Sequence, residues 1–381
     1  MLTNRDIVDL TTFRQTLHLY PEVSGAEAQT ARRIVNALAD TEPDTVITDL
    51  GGHGVAAVWA GAEPGPTVMF RAELDALPIL ELTGLPYAST LPGTAHLCGH
   101  DGHMTILLAL ARLIARQRPA RGRVVLLFQP AEEDGSGAAA VIADARFAGI
   151  APDWAFSLHN MPGVPLGQAM LAAGPANCAS MGLKITLTGK TAHAAQPEAG
   201  VSPALAMAAL IPALVGLGSG GEVGPGFRLV TLTHARLGEP AFGISPASGE
   251  VWATLRTRDD ADMADLAEAS EALAEEQARL HGLELAMSVH DAFSACSNDA
   301  EATDHLARGL AAVGLGQITE GLPFRASEDF GRFGAGARSA MAFLGAGTGM
   351  PMLHNPDYDF PDALIPQGAA LFDAVLRDIL G

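Results

Sequence analysis

The chain has 381 residues, with 23 basic and 43 acidic side chains for a net charge of −20; 48% of it is hydrophobic and 17% charged. That length exceeds one compact core and predicts two domains of ordinary globular composition. No basic stripe exists to neutralise phosphates, which argues against nucleic acid and against an anionic membrane as partners.

Residues 7–19 and 26–40 read as helices, separated by a Ser24-Gly25 break flanked by Glu22 and Glu27. Short apolar runs, His53–Ala60 and Thr67–Arg71, read as strands, and a helix is predicted over 103–116. The run Arg123–Gln129 is near-continuously apolar, as in a strand buried on both faces. A helix near 136–147 and a strand Trp154–His159 continue the alternation, which indicates an α/β domain with a mainly parallel sheet. After about Gly174 the pattern changes. Leu183–Thr188 and Arg228–His234 alternate with period two, a helix 202–215 lies between them, and strand 249–258, helix 261–281 and strand Glu284–His290 follow. That set predicts an α+β insert of two helices on an antiparallel four-stranded sheet. Helix 299–313, strand Ser339–Leu344 and helix 365–380 then resume the first pattern. The expected division is therefore residues 1–175 with 293–381 as one domain, and 176–292 as an inserted lid or dimerisation domain.

Cys98, Cys178 and Cys296 are few, odd in number and widely spaced, so they form no disulfide framework and suggest a reducing cytoplasm. The first residues show no basic-then-apolar leader, and Arg, Pro or Gly interrupts every long apolar stretch, so neither a signal peptide nor a membrane span is expected. Gly216–Gly221 matches the G-x-G-x-x-G spacing but follows a helix and opens none, so it reads as a loop. A serine-hydrolase elbow is also missing, because Asp134 stands where the first glycine before Ser136 belongs.

The chemistry concentrates in His96-Leu97-Cys98-Gly99-His100-Asp101-Gly102-His103, with three imidazoles, a thiol and a carboxylate at the mouth of a helix. Thiolate and imidazole are borderline-soft donors that suit zinc, manganese, nickel or cobalt better than magnesium or calcium. Further polar groups stand at or beyond predicted strand ends: Glu73 and Asp75, Glu132-Glu133-Asp134, His159-Asn160, and His354 ten residues past its strand. Ligands of open α/β sheets bind beyond the carboxyl ends of the strands, so these groups share one expected rim. Successive residues of an extended loop point apart, so one of Glu132 and Glu133 can bind metal while the other faces water.

The segments RAELDALPI, HLCGHDGHMTILL, FQPAEED, SLHNMP, GKTAHAAQPEAGVSP, ASEDF and LHNPDYDF, with LHLYPEVSGAEAQT near the N-terminus, resemble the amidohydrolase branch of the di-metal aminoacylase and carboxypeptidase family. That branch includes hippurate hydrolase and hydrolases of indole-acetyl–amino acid conjugates. The resemblance implies one or two divalent transition-metal ions per subunit, held by Cys98, His100, Glu133, His159 and His354. It also implies Glu132 as general acid/base and Asp75 as the group that holds a ligand from behind. His193, in the insert, would donate to the oxyanion across a homodimer formed through the inserted domain, and Arg256 would receive a substrate carboxylate. Gly243-Ile244-Ser245-Pro246 replaces the branch's Asn-Val-Ile-Pro, so a substrate-contacting amide is missing. The expected reaction is hydrolysis of N-acyl amino acids or related small amides. A dipeptidase or carboxypeptidase on the same scaffold is the alternative, and a catalytically silent binding protein a more distant one.

Overall fold

Apolar runs long enough to be buried on both faces become the central strands. In the computed structural model, which describes residues 1–381, Arg121–Gln129, Glu63–Glu73, Trp154–Pro162 and Arg338–Gly347 pair in parallel at the middle of an eight-stranded sheet. Gly54–Ala60 and Thr45–Leu50 extend one side antiparallel, and Gln168–Met170 and Gly316–Ile318 extend the other. Helices Asn4–Leu19, Ala28–Leu38, His100–Arg116, Ala300–Ala312 and Leu364–Leu380 contribute to its large core, in which Trp59, Phe70, Phe156 and Phe372 are buried. The mainly parallel α/β architecture agrees with the fold class read from the sequence.

A second, separate sheet runs in the order Arg228–Leu237, Ser248–Thr257, Ala179–Thr188, Glu284–Phe293, all antiparallel. Leu183, Ile185, Leu187, Val251, Ala253 and Leu255 project from one face and form a core with helices Ala204–Gly216 and Asp260–His281. The alternation of period two in these strands is what one covered face requires. The chain thus divides into two compact units, Met1–Ala176 with Cys296–Leu322 and Asp329–Gly381, and Asn177–Ala295 with Pro323–Glu328. No helix is long and apolar enough to cross a membrane.

The first helix of the larger unit is tied in by charge. Arg14 is fully buried and reaches Asp101 (3.3 Å), Asp359 (2.7 Å) and Asp362 (2.9 Å), while Tyr87 donates to Asp359 at 2.7 Å. His18, one turn on, bridges Asp101 (2.9 Å) and Glu81 (3.3 Å). Burial opposes charge on His18, but hydrogen bonds to Asp101 and Glu81 outweigh it and push its pKa up to about 9. A pKa above the ordinary value of roughly 6.5 gives stability that is complete below that pH and is lost as pH rises through 9. The melting temperature is therefore expected to fall between about pH 6.5 and 9, and to fall less in His18→Gln. Parallel pH profiles for the two proteins would remove His18 from that role.

Candidate metal centre

The helix predicted from residue 103 begins at His100, so His100 sits in the first turn and Cys98 just before it. Gly99 makes this entry with φ of +93°, and a Cβ there would lie 2.3 Å from the Asn160 side chain. Only glycine fits both demands. Strand Trp154–Pro162 carries His159 to within 3.4 Å of the Cys98 sulfur, measured from Nε2. His100 Nε2 lies 3.8 Å from a Glu133 oxygen and 3.9 Å from a Glu132 oxygen, and His354 Nε2 lies 3.7 Å from the other Glu133 oxygen. In each of the sets Cys98–His100–His159, Cys98–Glu133–His354 and His100–Glu132–Glu133, one donor atom per residue lies within 4.8 Å of the others. Six donor residues from four distant chain segments therefore meet beyond the carboxyl ends of the strands.

The rings are aimed. His100 Nδ1 donates to the Asp75 carbonyl at 2.9 Å and His159 Nδ1 to the Asn160 carbonyl at 2.8 Å, which fixes the tautomer that leaves each Nε2 with its lone pair toward the cluster. His100 Nε2 is buried without a hydrogen-bond partner. A buried ring nitrogen with no partner is costly, and a divalent cation is the partner this donor set suits. His354 adopts φ of +66°, a strained conformation for a non-glycine residue, and its N–H donates to the Leu97 carbonyl at 2.9 Å, tying its loop to the one that bears Cys98. The residues fit a site for divalent transition-metal ions.

Charges around the cluster act in opposite directions. Burial opposes protonation of His100, but Asp75, Glu73 and Glu133 outweigh it and push its pKa up to about 10. Burial, together with the nearby His103, holds His159 well below the ordinary value, and burial with the His100 charge lowers His354. His100 would hold a divalent ion only as the neutral ring, so affinity for such an ion is expected to rise with pH. Asp75 lies fully buried behind the cluster, accepting from Ser24 Oγ at 2.7 Å and from the Glu133 N–H at 2.9 Å. Its pKa is lowered, with the desolvation cost outweighed chiefly by His100.

A model of Peptidase family M20/M25/M40 matches residues 69–378. The chain belongs to this family. An N-acetyl-L-cysteine deacetylase of Bacillus subtilis is 34% identical over 367 residues, covering 96% of this chain and 86% of that protein. Hippurate hydrolase of Campylobacter jejuni is 31% identical, covering 94% and 93%. Among solved structures, the Bacillus subtilis YxeP protein, a dinuclear metal-binding peptidase from the M20 family, matches with a TM-score of 0.83 at 25% identity over 99% of both chains. This M20 chain is accordingly a metal-dependent hydrolase of amide bonds.

Two further residues named from the sequence belong to the smaller unit of this M20 chain. His193 is exposed on a short two-stranded antiparallel pairing that sets it opposite Ile244, and its Nδ1 accepts from the Ala195 N–H at 3.0 Å. Arg256 donates to the Arg325 carbonyl (2.8 Å) and to Ser327 Oγ (2.9 Å). Several further polar groups of the sequence motifs support the cluster rather than enter it. His103 bridges Glu73 (2.6 Å) and Asn160 (2.5 Å), and Asn160 in turn donates to Tyr358 at 2.5 Å. Asp329 accepts from Gln129 at 2.8 Å and from the Ala138 N–H at 2.8 Å and contacts Arg71, so it braces strand ends. His96 is buried, with neither ring nitrogen hydrogen-bonded.

Proposed function

We propose that this chain hydrolyses N-acyl amino acids or closely related small amides, with Glu132 as general acid/base and Cys98, His100, Glu133, His159 and His354 holding one or two ions of zinc, manganese, nickel or cobalt. The convergence of a thiol, three imidazoles and two adjacent carboxylates at the carboxyl ends of parallel strands carries this reading. Bound divalent ions supply Lewis acidity, acidifying water and polarising the amide carbonyl. Glu132, buried beside His100, accepts the proton of the attacking water and returns it to the departing nitrogen. Asp75 orients the site from behind, through His100 and the Glu133 N–H. Arg256 receives the substrate carboxylate, for which a planar guanidinium is suited.

His193 is assigned the oxyanion donor of a partner subunit, in a homodimer formed through the inserted domain. Losing one such donor costs about 10²–10³ in kcat, the expectation for His193→Ala. Mixing His193→Ala with Glu132→Ala is expected to restore turnover, because a hybrid dimer holds one complete site; mixtures as inactive as their parents would refute the shared site. The three free, buried cysteines agree with a reducing cytoplasm.

The test of the substrate class is a panel of N-acetyl and N-benzoyl amino acids beside dipeptides, with and without chelator. Chelator-sensitive hydrolysis favouring the acyl amino acids is expected. Preference for dipeptides would transfer the same site to peptidase chemistry.

A further inference from the structure

The residue before the assigned base is held in an unusual conformation. Ala131 has φ of +50°, the left-handed region where a side chain is strained, and a non-glycine residue stays there only when its surroundings over-determine it. Its N–H donates to Glu27 Oε1 at 2.8 Å, and the Gly25 N–H donates to the same oxygen at 3.0 Å. Glu27 is fully buried and 104 residues away in sequence. It stands at the N-cap of helix Ala28–Leu38, yet its side chain makes no capping hydrogen bond to that helix. Glu22 serves the helix instead, accepting from Thr30 N–H at 2.7 Å and Thr30 Oγ1 at 2.9 Å. A buried carboxylate turned away from its own helix and toward one strained backbone N–H is not explained by helix capping.

The neighbouring residue is held by other means. Glu133 is fixed through its N–H by Asp75, whereas the turn that precedes Glu132 is fixed at the Ala131 N–H by Glu27. Carbonyl contacts complete the turn, from the Gly137 N–H to Ala131 and from the Gly135 N–H to Glu132, both at 2.8 Å. We propose that Glu27 is a positioning residue for the reaction: by accepting from Ala131 it imposes the left-handed turn that directs the Glu132 carboxylate toward the water, separately from the Asp75 contact that sets Glu133. This rests on the assignment of Glu132 as base.

The test combines two sites. Glu27→Met keeps the volume and removes the acceptor, Glu27→Gln keeps an acceptor oxygen, and Ala131→Gly lets the backbone take positive φ without strain. Each is made singly, and Glu27→Met is also combined with Ala131→Gly, so a chain that cannot fold with alanine at 131 is still assayed with glycine. Glu27→Met is expected to lose about tenfold to a hundredfold in kcat, with KM and metal content unchanged. Glu27→Gln should keep kcat within a few-fold, and the double variant should regain most of what Glu27→Met lost. Recovery of folding and turnover only in the double variant would also support the proposal. A double variant no better than Glu27→Met, full kcat in Glu27→Met, or metal lost together with kcat would overturn it. Glu132→Gln is run alongside: if that variant turns over normally, the assignment of the base fails and this role falls with it, whereas an inactive Glu132→Gln beside a fully active Glu27→Met condemns the positioning role alone.

Discussion

Replacing Glu132 with glutamine is expected to lower kcat by about 10²–10⁴, with metal content and melting temperature close to those of the wild type. The amide keeps the size and hydrogen-bonding reach of the carboxylate but cannot accept the water proton or return it to the leaving nitrogen. Glu132 is buried with an oxygen 3.9 Å from His100 Nε2, so no solvent-borne base has equivalent access. Its neighbour Glu133 approaches both His100 and His354, which leaves the two adjacent carboxylates with different surroundings and different tasks. Metal analysis and steady-state rates on the same preparation separate the cases. Loss of metal with loss of rate would make Glu132 a ligand, and an unchanged rate would remove it from the chemistry.

The second large effect is on stability. Arg14→Met is expected to destabilise the larger unit by about 3–5 kcal/mol, because truncating one partner of a buried ion pair leaves the other charge uncompensated. Asp101 is fully buried and would keep only His18 and the Gly102 N–H, while Asp359 would keep Tyr87. The same guanidinium links the residue after His100 to the segment following His354, so weaker metal retention should accompany the lower melting temperature. Denaturant melts of the two proteins test this. An unchanged midpoint would mean that the carboxylates are relieved by other groups.

Much of this was legible because strong local patterns survive folding. The buried run at Arg121–Gln129, the alternating strand at Leu183–Thr188 and the charged helix Asp260–His281 carry their own periodicity. Thr45–Leu50 escaped notice because it is an edge strand with mostly exposed side chains, and Gln168–Met170 and Gly316–Ile318 are too short to show a period. At the site, donor chemistry pointed to the stretch around Cys98 and to the polar strand ends, and the family resemblance singled out Cys98, His100, Glu133, His159 and His354, which lie together. Their supports did not show. Arg14 and Asp101 are 87 residues apart, and Glu27 and Ala131 104 apart; neither pair leaves a periodic trace, since each depends on burial that only the assembled sheet creates. The left-handed turns at Ala131 and His354 are equally silent, because neither residue is one that marks such a backbone.

The most direct single measurement is divalent-metal uptake by chelator-stripped protein, followed by calorimetry and elemental analysis and read together with amide hydrolysis. Uptake of one or two ions per chain, with hydrolysis restored in step and uptake sharply weakened in Cys98→Ser, is the expected result. Hydrolysis by protein that holds no metal, or identical uptake by the wild type and Cys98→Ser, would contradict the assignment of this cluster as the centre of the chemistry.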